Sequence, residues 1–245
     1  MKRIFLADLS DAKVTIDGDD AHHLAYSLRA KRGDKITAVD ASGNSAVIEL
    51  VDFDKDTIKA RRIGELQRVV TERQIILADC LPKQNRFESI IEKATELGVD
   101  KIEPLISDRT IARIDNARAA SKLERWNRIA KETAEQCARD TVPEIGNLRG
   151  LDDWLKEILP LAKDTLLLFC LETERVTTVR EVLNEYISAG GKKIIVLIGP
   201  EGGFSEREAD KIKLAGGKSV TLGKRVLKTD TAAIGVLAMI NYEYM

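Results

Sequence analysis

The sequence predicts an α/β protein in which a small N-terminal β-barrel, residues 1–70, precedes a larger parallel-sheet domain, residues 71–245. Short β-branched runs broken by turn signals fill the first part. Solid apolar runs without alternation follow, the pattern of strands covered on both faces, and they alternate with long stretches of helical periodicity.

In the first part, strands are expected at 3–6, 35–39, 46–53 and 57–63, with turns at Asp17-Gly18, 32–34, 41–44 and 54–56 and one helix at 20–30. Closely spaced short strands of this kind close into small barrels or sandwiches. From Arg73 onward, 74–81 is an apolar run ending at Pro82. Residues 85–97 then place Phe87, Ile90, Ile91, Ala94 and Leu97 on one helical face before Gly98 stops the helix. A strand at 101–107 leads to a helix in which Leu123, Trp126, Ala130, Ala134 and Cys137 share a face, with Ser121 and Glu124 at capping-box spacing. Apolar runs at 165–171 and 193–198 flank a helix at 176–188.

Composition narrows the function class. Of 245 residues, 39 are Lys or Arg and 40 are Asp or Glu, a net charge of -1, and 44% are hydrophobic, which excludes fibrous and extensively disordered classes. No apolar run approaches the roughly 20 residues that span a bilayer, and residues 1–10 are too polar for a signal peptide. A soluble cytoplasmic protein without a membrane partner is therefore expected. Cys80, Cys137 and Cys170 form no C-x-x-C pair and read as buried, reduced thiols. His22 and His23 are the only histidines, so neither a metal site nor a Ser-His-Asp triad is expected.

The first chemical motif is a buried strand ending at Leu197-Ile198, then Gly199-Pro200-Glu201-Gly202-Gly203, then a helix with Ser205 and Glu208 at capping-box spacing. Ligands bind outside the carboxyl ends of parallel strands, and glycines let a ligand approach backbone closely. The spacing matches neither the dinucleotide fingerprint nor a P-loop. In the second motif a short strand ends at Leu222-Gly223, and Lys224-Arg225-Val226-Leu227-Lys228 leads into an apolar helix from Thr231 with Thr229 or Asp230 as its cap. That helix is apolar nearly all round, as in a core or a subunit interface.

The stretches 197–205 and 222–233 resemble the signature loops of the SPOUT class of S-adenosylmethionine-dependent RNA methyltransferases, and within it the small-subunit (16S) ribosomal RNA uracil-N3 methyltransferase family. The resemblance runs over nearly the whole chain. It includes His22-His23-Leu24, Ser27-Leu28-Arg29 and Gly33-Asp34, then Lys83, Arg86-Phe87-Glu88, Glu96-Leu97-Gly98-Val99, Arg109, Glu124-Arg125-Trp126, Glu135-Gln136-Cys137, Arg139 and Val142-Pro143. It departs at Lys228 and Asp230, where Arg and Glu are usual. Lys cannot form the bidentate fork of Arg, and Asp is one methylene shorter than Glu.

The resemblance implies a PUA-like RNA-binding barrel and a carboxyl-terminal trefoil knot, which general topology rules would not suggest. It implies S-adenosylmethionine held by Leu171, Leu197, Ile198, Gly199, Pro200, Glu201, Gly202, Gly203, Leu222, Gly223, Val226, Leu227 and Thr229. Arg225, Lys228 and Asp230 become the candidate catalytic residues. A cation near the uracil stabilises its developing anion, and Asp230 orients a cation or accepts a proton. A homodimer is also implied, with the apolar C-terminal helix as a candidate interface.

Contacts to small ribosomal subunit RNA must come from local cations, because residues 1–70 carry 12 Lys plus Arg against 12 Asp plus Glu. Lys2-Arg3, residues 29–35 and residues 59–62 cluster, giving Arg3, Arg29, Lys31 and Arg32 as candidates. Lys83, Arg86, Arg109, Arg113 and Arg139 are candidates for a basic rim near the pocket. Lys93 and Glu96 have the spacing of a surface ion pair. Two other readings stand beside the enzyme: a non-catalytic RNA-binding or assembly factor of the same fold, and a nucleotide-binding α/β enzyme.

Overall fold

A computed structural model describes residues 2–54, 56–68, 73–83, 86–112 and 116–244. The chain divides into two units, Met1–Thr71 with Lys131–Val142, and Glu72–Ala130 with Pro143–Met245. The boundary expected between 70 and 71 lies outside the described residues, as do Arg113 and Asn85.

The smaller unit has β1 (Arg3–Leu6), β2 (Lys13–Asp17), α1 (Gly18–His22), β3 (Lys35–Asp40), β4 (Asn44–Phe53), β5 (Thr57–Arg62) and β6 (Gln67–Arg68). The sheet runs β1-β3-β4-β5-β2 with β6 on β4; β1 lies parallel to β3 and the other pairs are antiparallel. Alternation explains the faces: β2 buries Val14 and Ile16 while Lys13, Thr15 and Asp17 point out, and Ile58 and Ala60 of β5 join them in a core with Ile4, Leu24, Ile36 and Ile48. Asp17-Gly18, expected as a turn, instead opens α1. The helix expected at 20–30 starts at Gly18, changes to a π-helical turn at His23–Ser27, and ends before Arg29, whose φ is 48°.

The larger unit alternates β7 (Gln74–Cys80), α2 (Arg86–Glu96), β8 (Lys101–Ile106), the part of α3 (Asn116–Gln136) up to Ala130, β9 (Glu144–Ile145), β10 (Arg149–Gly150), α4 (Leu151–Ile158), β11 (Thr165–Cys170), α5 (Val179–Ser188), β12 (Lys193–Ile198), α6 (Glu206–Leu214), β13 (Lys218–Val220) and α7 (Thr229–Glu243). Its sheet runs β10-β8-β7-β12-β11-β13 with β9 on β8, and every pairing is parallel. One face, with Ile76, Ala78, Phe169 and Leu197, packs on Trp154, Leu155, Ala209 and Ile212 of α4 and α6. α7 packs on β12, α2 and α5.

Three helix starts differ from expectation. α3 begins at Asn116, and Ser121 lies inside it, donating its hydroxyl to the Arg118 carbonyl rather than capping. α5 begins at Val179 behind a Thr178–Glu181 capping box, leaving Val176 81% exposed. α7 begins at Thr229, so neither Thr229 nor Asp230 is its cap: Lys228 stands there without a side-chain cap bond, and Asp230 Oδ1 accepts from the Thr231 N–H. The cysteines are all free; Cys80 is buried, but Cys170 is half-buried and Cys137 is exposed, contrary to the expectation of buried thiols. Lys93 and Glu96 form the expected pair at 2.9 Å.

Candidate functional site

Sheet register builds the site. Ile198 pairs with Asp79, Leu197 with Phe169, and Cys170 with Val220, so the carboxyl ends of β7, β12, β11 and β13 stand level. β12 lies between β7 and β11, out of sequence order, and a crevice opens where such an order switches. The loops after β11, β12 and β13 therefore emerge side by side and enclose a cavity of about 670 Å³.

Each wall is held by local bonds. After β12, the Gly203 N–H closes a turn on the Pro200 carbonyl at 2.8 Å with φ of 66°, and Ser205 and Glu208 form the expected capping box. Glu208 also accepts from the Asp108 N–H at 2.7 Å, while Asp108 accepts from Ser205 and Arg207. The Arg207 and Ser205 bonds hold the Asp108 carboxyl below its usual range. A Cβ at Gly199 would stand 3.2 Å from the Phe204 ring, and one at Gly202 3.2 Å from Arg109, so a side chain at either position would press on its neighbour.

After β11, the Glu174 carboxylate accepts the Val176 N–H, the Ser219 hydroxyl and the Thr177 N–H, which lowers it to about 2. That carboxylate staples the loop to β13, and Thr221 extends the staple by bridging Thr178 and donating its N–H to the Thr177 carbonyl. After β13, Gly223 has a φ of 116° with open space around it. Gly223→Ala therefore costs backbone strain alone, about 2 kcal/mol, and thermal melts should show Tm lowered by several degrees. An unchanged Tm would mean that this wall relaxes freely.

Of the residues expected to hold a ligand, Leu171, Ile198, Gly199, Pro200, Glu201, Gly203, Leu222, Gly223, Val226, Leu227 and Thr229 line the cavity, as do Arg225 and Lys228. Leu197, fully buried in β12, and Gly202, behind Arg109, do not line it, and neither does Asp230 in the first turn of α7. The loop after Leu171, expected from the resemblance to contact the donor, also lines it through Glu172, Thr173 and Arg175, as does Phe204, none of them singled out from the sequence. A signal was present, since the equal apolar lengths of β11 and β12 put both following loops on one sheet edge.

Electrostatics separates the charged groups. Glu201 Oε1 accepts from the Lys83 N–H at 2.9 Å and stands 3.6 Å from Arg86, so its carboxylate joins the loop after β12 to the loop after β7. Arg109 donates to the Gly202 carbonyl at 2.8 Å. Arg225 and Lys228 are exposed, and among the described residues no carboxylate pairs with either. Asp79 is fully buried, and among the described residues neither of its carboxyl oxygens has a hydrogen-bond partner; burial first, then the charges of Glu201 and Asp230, push it well above the usual carboxylate range. Burial raises the Cys170 thiol to about 12, so it stays protonated.

In the smaller unit, Arg3 pairs with Asp140 at 2.5 Å and Arg139 donates to the Thr141 carbonyl at 3.1 Å. Arg29, Lys31 and Arg32 are exposed. Among the described residues no group of three or more His, Cys, Asp or Glu is placed to hold a metal ion, and no helix is long and apolar enough to cross a membrane.

Comparison with known proteins places this architecture. Residues 70–241 match the model of the RNA methyltransferase domain, and residues 16–61 that of the RNA methyltransferase PUA domain. The ribosomal RNA small subunit methyltransferase E of Bacillus subtilis (strain 168) is 30% identical over 94% of this chain and 90% of its own length. The chain belongs to the ribosomal RNA small subunit methyltransferase E family. The member from Synechocystis sp. is 31% identical over 94% of this chain and 73% of its own length. The crystal structure of the methyltransferase E from Neisseria gonorrhoeae bound to S-adenosyl methionine superposes with a TM-score of 0.85 at 29% identity, covering 99% of this chain and 98% of that one. The architecture of this family is thus a PUA-like domain followed by a parallel-sheet α/β domain.

Proposed function

We propose that the chain transfers a methyl group from S-adenosylmethionine to N3 of a uridine in the 16S RNA of the small ribosomal subunit, with the cytoplasm as its compartment. The observation that carries this reading is the three-walled cavity at the level strand ends, in a chain whose Neisseria relative was crystallised with that donor. The cavity suits the donor: its volume lies within the usual range for small-molecule sites, glycine backbones form parts of two walls, Leu171, Ile198, Phe204 and Leu222 offer apolar surface, and Glu172 and Glu206 offer negative charge. The donor supplies an activated methyl on sulfur.

The residues of the chain supply position and charge. Leu171, the 198–203 loop and the 222–229 segment orient the donor, with Leu197 and Gly202 supporting the second wall from behind. Arg225 and Lys228 stand on the third wall, where their unpaired charges stabilise the negative charge that develops on the uracil as its N3 proton departs. Asp230, which does not cap α7, is assigned to accept that proton or to orient one of the two cations. Lys83, Arg86 and Arg109 form the basic rim for RNA, while the bonds of Arg3 and Arg139 give those two a framework role as well.

The carboxyl-terminal segment is taken to form a trefoil knot, supported by the Thr178–Thr221 bridge and by the return of α7 across β12 to α2. The exposed Ala238, Met239 and Tyr242 of α7 support a homodimer, and the domain boundary is set between 70 and 71.

Calorimetry tests the donor site, with saturable one-to-one binding expected and no heat at millimolar donor counting against catalysis. Methyl transfer to subunits from a strain lacking the gene then tests the target. One N3-methylated uridine, seen as a restored primer-extension stop, is expected, and the absence of any restored stop overturns the assignment.

A further inference from the structure

Three clusters of cations in the smaller unit are treated differently by the structure. Lys2 donates to the Leu28 carbonyl at 2.5 Å, and Arg3 pairs with Asp140. Lys59 stands 3.6 Å from Asp52, Arg61 pairs with Glu49 at 3.0 Å, and Arg62 donates to the Leu9 carbonyl at 2.7 Å. Arg29, Lys31 and Arg32 are exposed, and among the described residues their side chains have no hydrogen-bond or ion-pair partner. Nearby carboxylates are engaged elsewhere: Asp20 pairs with Lys131 at 2.5 Å, and Asp34 accepts from the Lys31 backbone at 3.0 Å.

The free group follows directly on an aromatic pair. Leu24 is fully buried, so the helical segment from Gly18 to Ser27 turns its other face outward. On that face His22 and Tyr26 stack with ring centroids 4.4 Å apart and planes at 35°, and Tyr26 remains 67% exposed. Tyr26 lies within the π-helical turn His23–Ser27 and the left-handed Arg29 follows it, and such irregularities recur at functional sites. Exposed aromatic faces beside unpaired cations suit a nucleic acid whose bases are unstacked, because a duplex keeps its base faces covered.

We propose that Tyr26, backed by His22, is a stacking platform for an unpaired base of the RNA substrate, and that Lys31 and Arg32 hold the flanking phosphates with Arg29. This rests on RNA being the substrate and narrows it to a single-stranded segment at this surface.

The test uses the full-length protein with Tyr26→Ala, Tyr26→Phe, Lys31→Ala and Arg32→Ala, an unstructured RNA oligonucleotide and a duplex of the same sequence. Tyr26→Ala should weaken single-strand binding by roughly 5- to 100-fold without changing its salt dependence, while Tyr26→Phe binds like the parent. Lys31→Ala and Arg32→Ala should each flatten the salt dependence by about 0.7 in logarithmic slope. In turnover, Tyr26→Ala should raise KM for RNA and leave kcat unchanged. Parental single-strand binding by Tyr26→Ala, or an equal loss on the duplex, overturns the platform; so does a response to a protein partner in place of RNA. Melting curves guard against misfolding. Because donor binding and methyl transfer by the parent are measured in the same series, a parent that transfers no methyl group refutes the enzymatic reading instead.

Discussion

Arg225→Ala is expected to lower kcat for methyl transfer by about 10²- to 10³-fold while the Kd of the donor moves less than about threefold. Arg225 lines the cavity, is exposed, and among the described residues has no carboxylate to neutralise it. Its charge is therefore available to the group that becomes negative as the reaction proceeds. An interaction made only with that developing charge lowers the barrier without changing the affinity of the ground state. Arg225→Lys should recover part of the loss, since it keeps the charge and gives up the planar fork. Single-turnover kinetics with saturating donor and RNA separates the two quantities. A variant with parental kcat would remove Arg225 from the reaction and leave Lys228 as the cation to test.

The second large effect is on stability. Asp79→Asn should stabilise the protein at pH 8 relative to the parent, because the parent must keep a proton on a buried carboxyl that ionises freely in the unfolded chain, whereas Asn does not titrate. Asp79 has no hydrogen-bond partner among the described residues, and its carboxyl is pushed up by burial and by Glu201 and Asp230. With a folded-state value above the unfolded one, the protonated carboxyl contributes stability that is fully present below the unfolded value, near pH 3.8. That contribution is lost as the pH rises toward the raised folded value, by about 1.4 kcal/mol per pH unit. The gap between variant and parent should thus be small at pH 4 and widen toward alkaline pH. Urea melts at pH 4, 6 and 8 measure it, and a gap that stays constant or reverses would mean that Asp79 has a partner in solution.

The way these residues were hidden or visible in the sequence has physical causes. β11 and β12 were legible because strands covered on both faces must be apolar throughout, and the glycine loop after β12 was legible because its glycines pack closely against Phe204 and Arg109. β2 was not, since Lys13–Asp17 holds only two core residues and ends at an Asp-Gly pair that looks like a turn. Ser121 and Glu124 imitate a capping box in the middle of α3, because the motif is local and the helix is decided by packing beyond it. Asp79 sits inside a segment that reads as an apolar strand, and its isolation is a property of what surrounds it in three dimensions. Glu201 was placed in the right loop, but its engagement with Lys83 and Arg86 crosses more than a hundred residues and leaves no local trace.

The level strand ends also fix an order of events along the chain. One wall follows β11, the next follows β12, and the last follows β13, which ends only at Val220. During synthesis the three walls therefore appear in that order, and the one with Arg225 and Lys228 is the last of them to arrive. A nascent copy that ends before residue 222 lacks that wall and should hold the donor less tightly than one that has it.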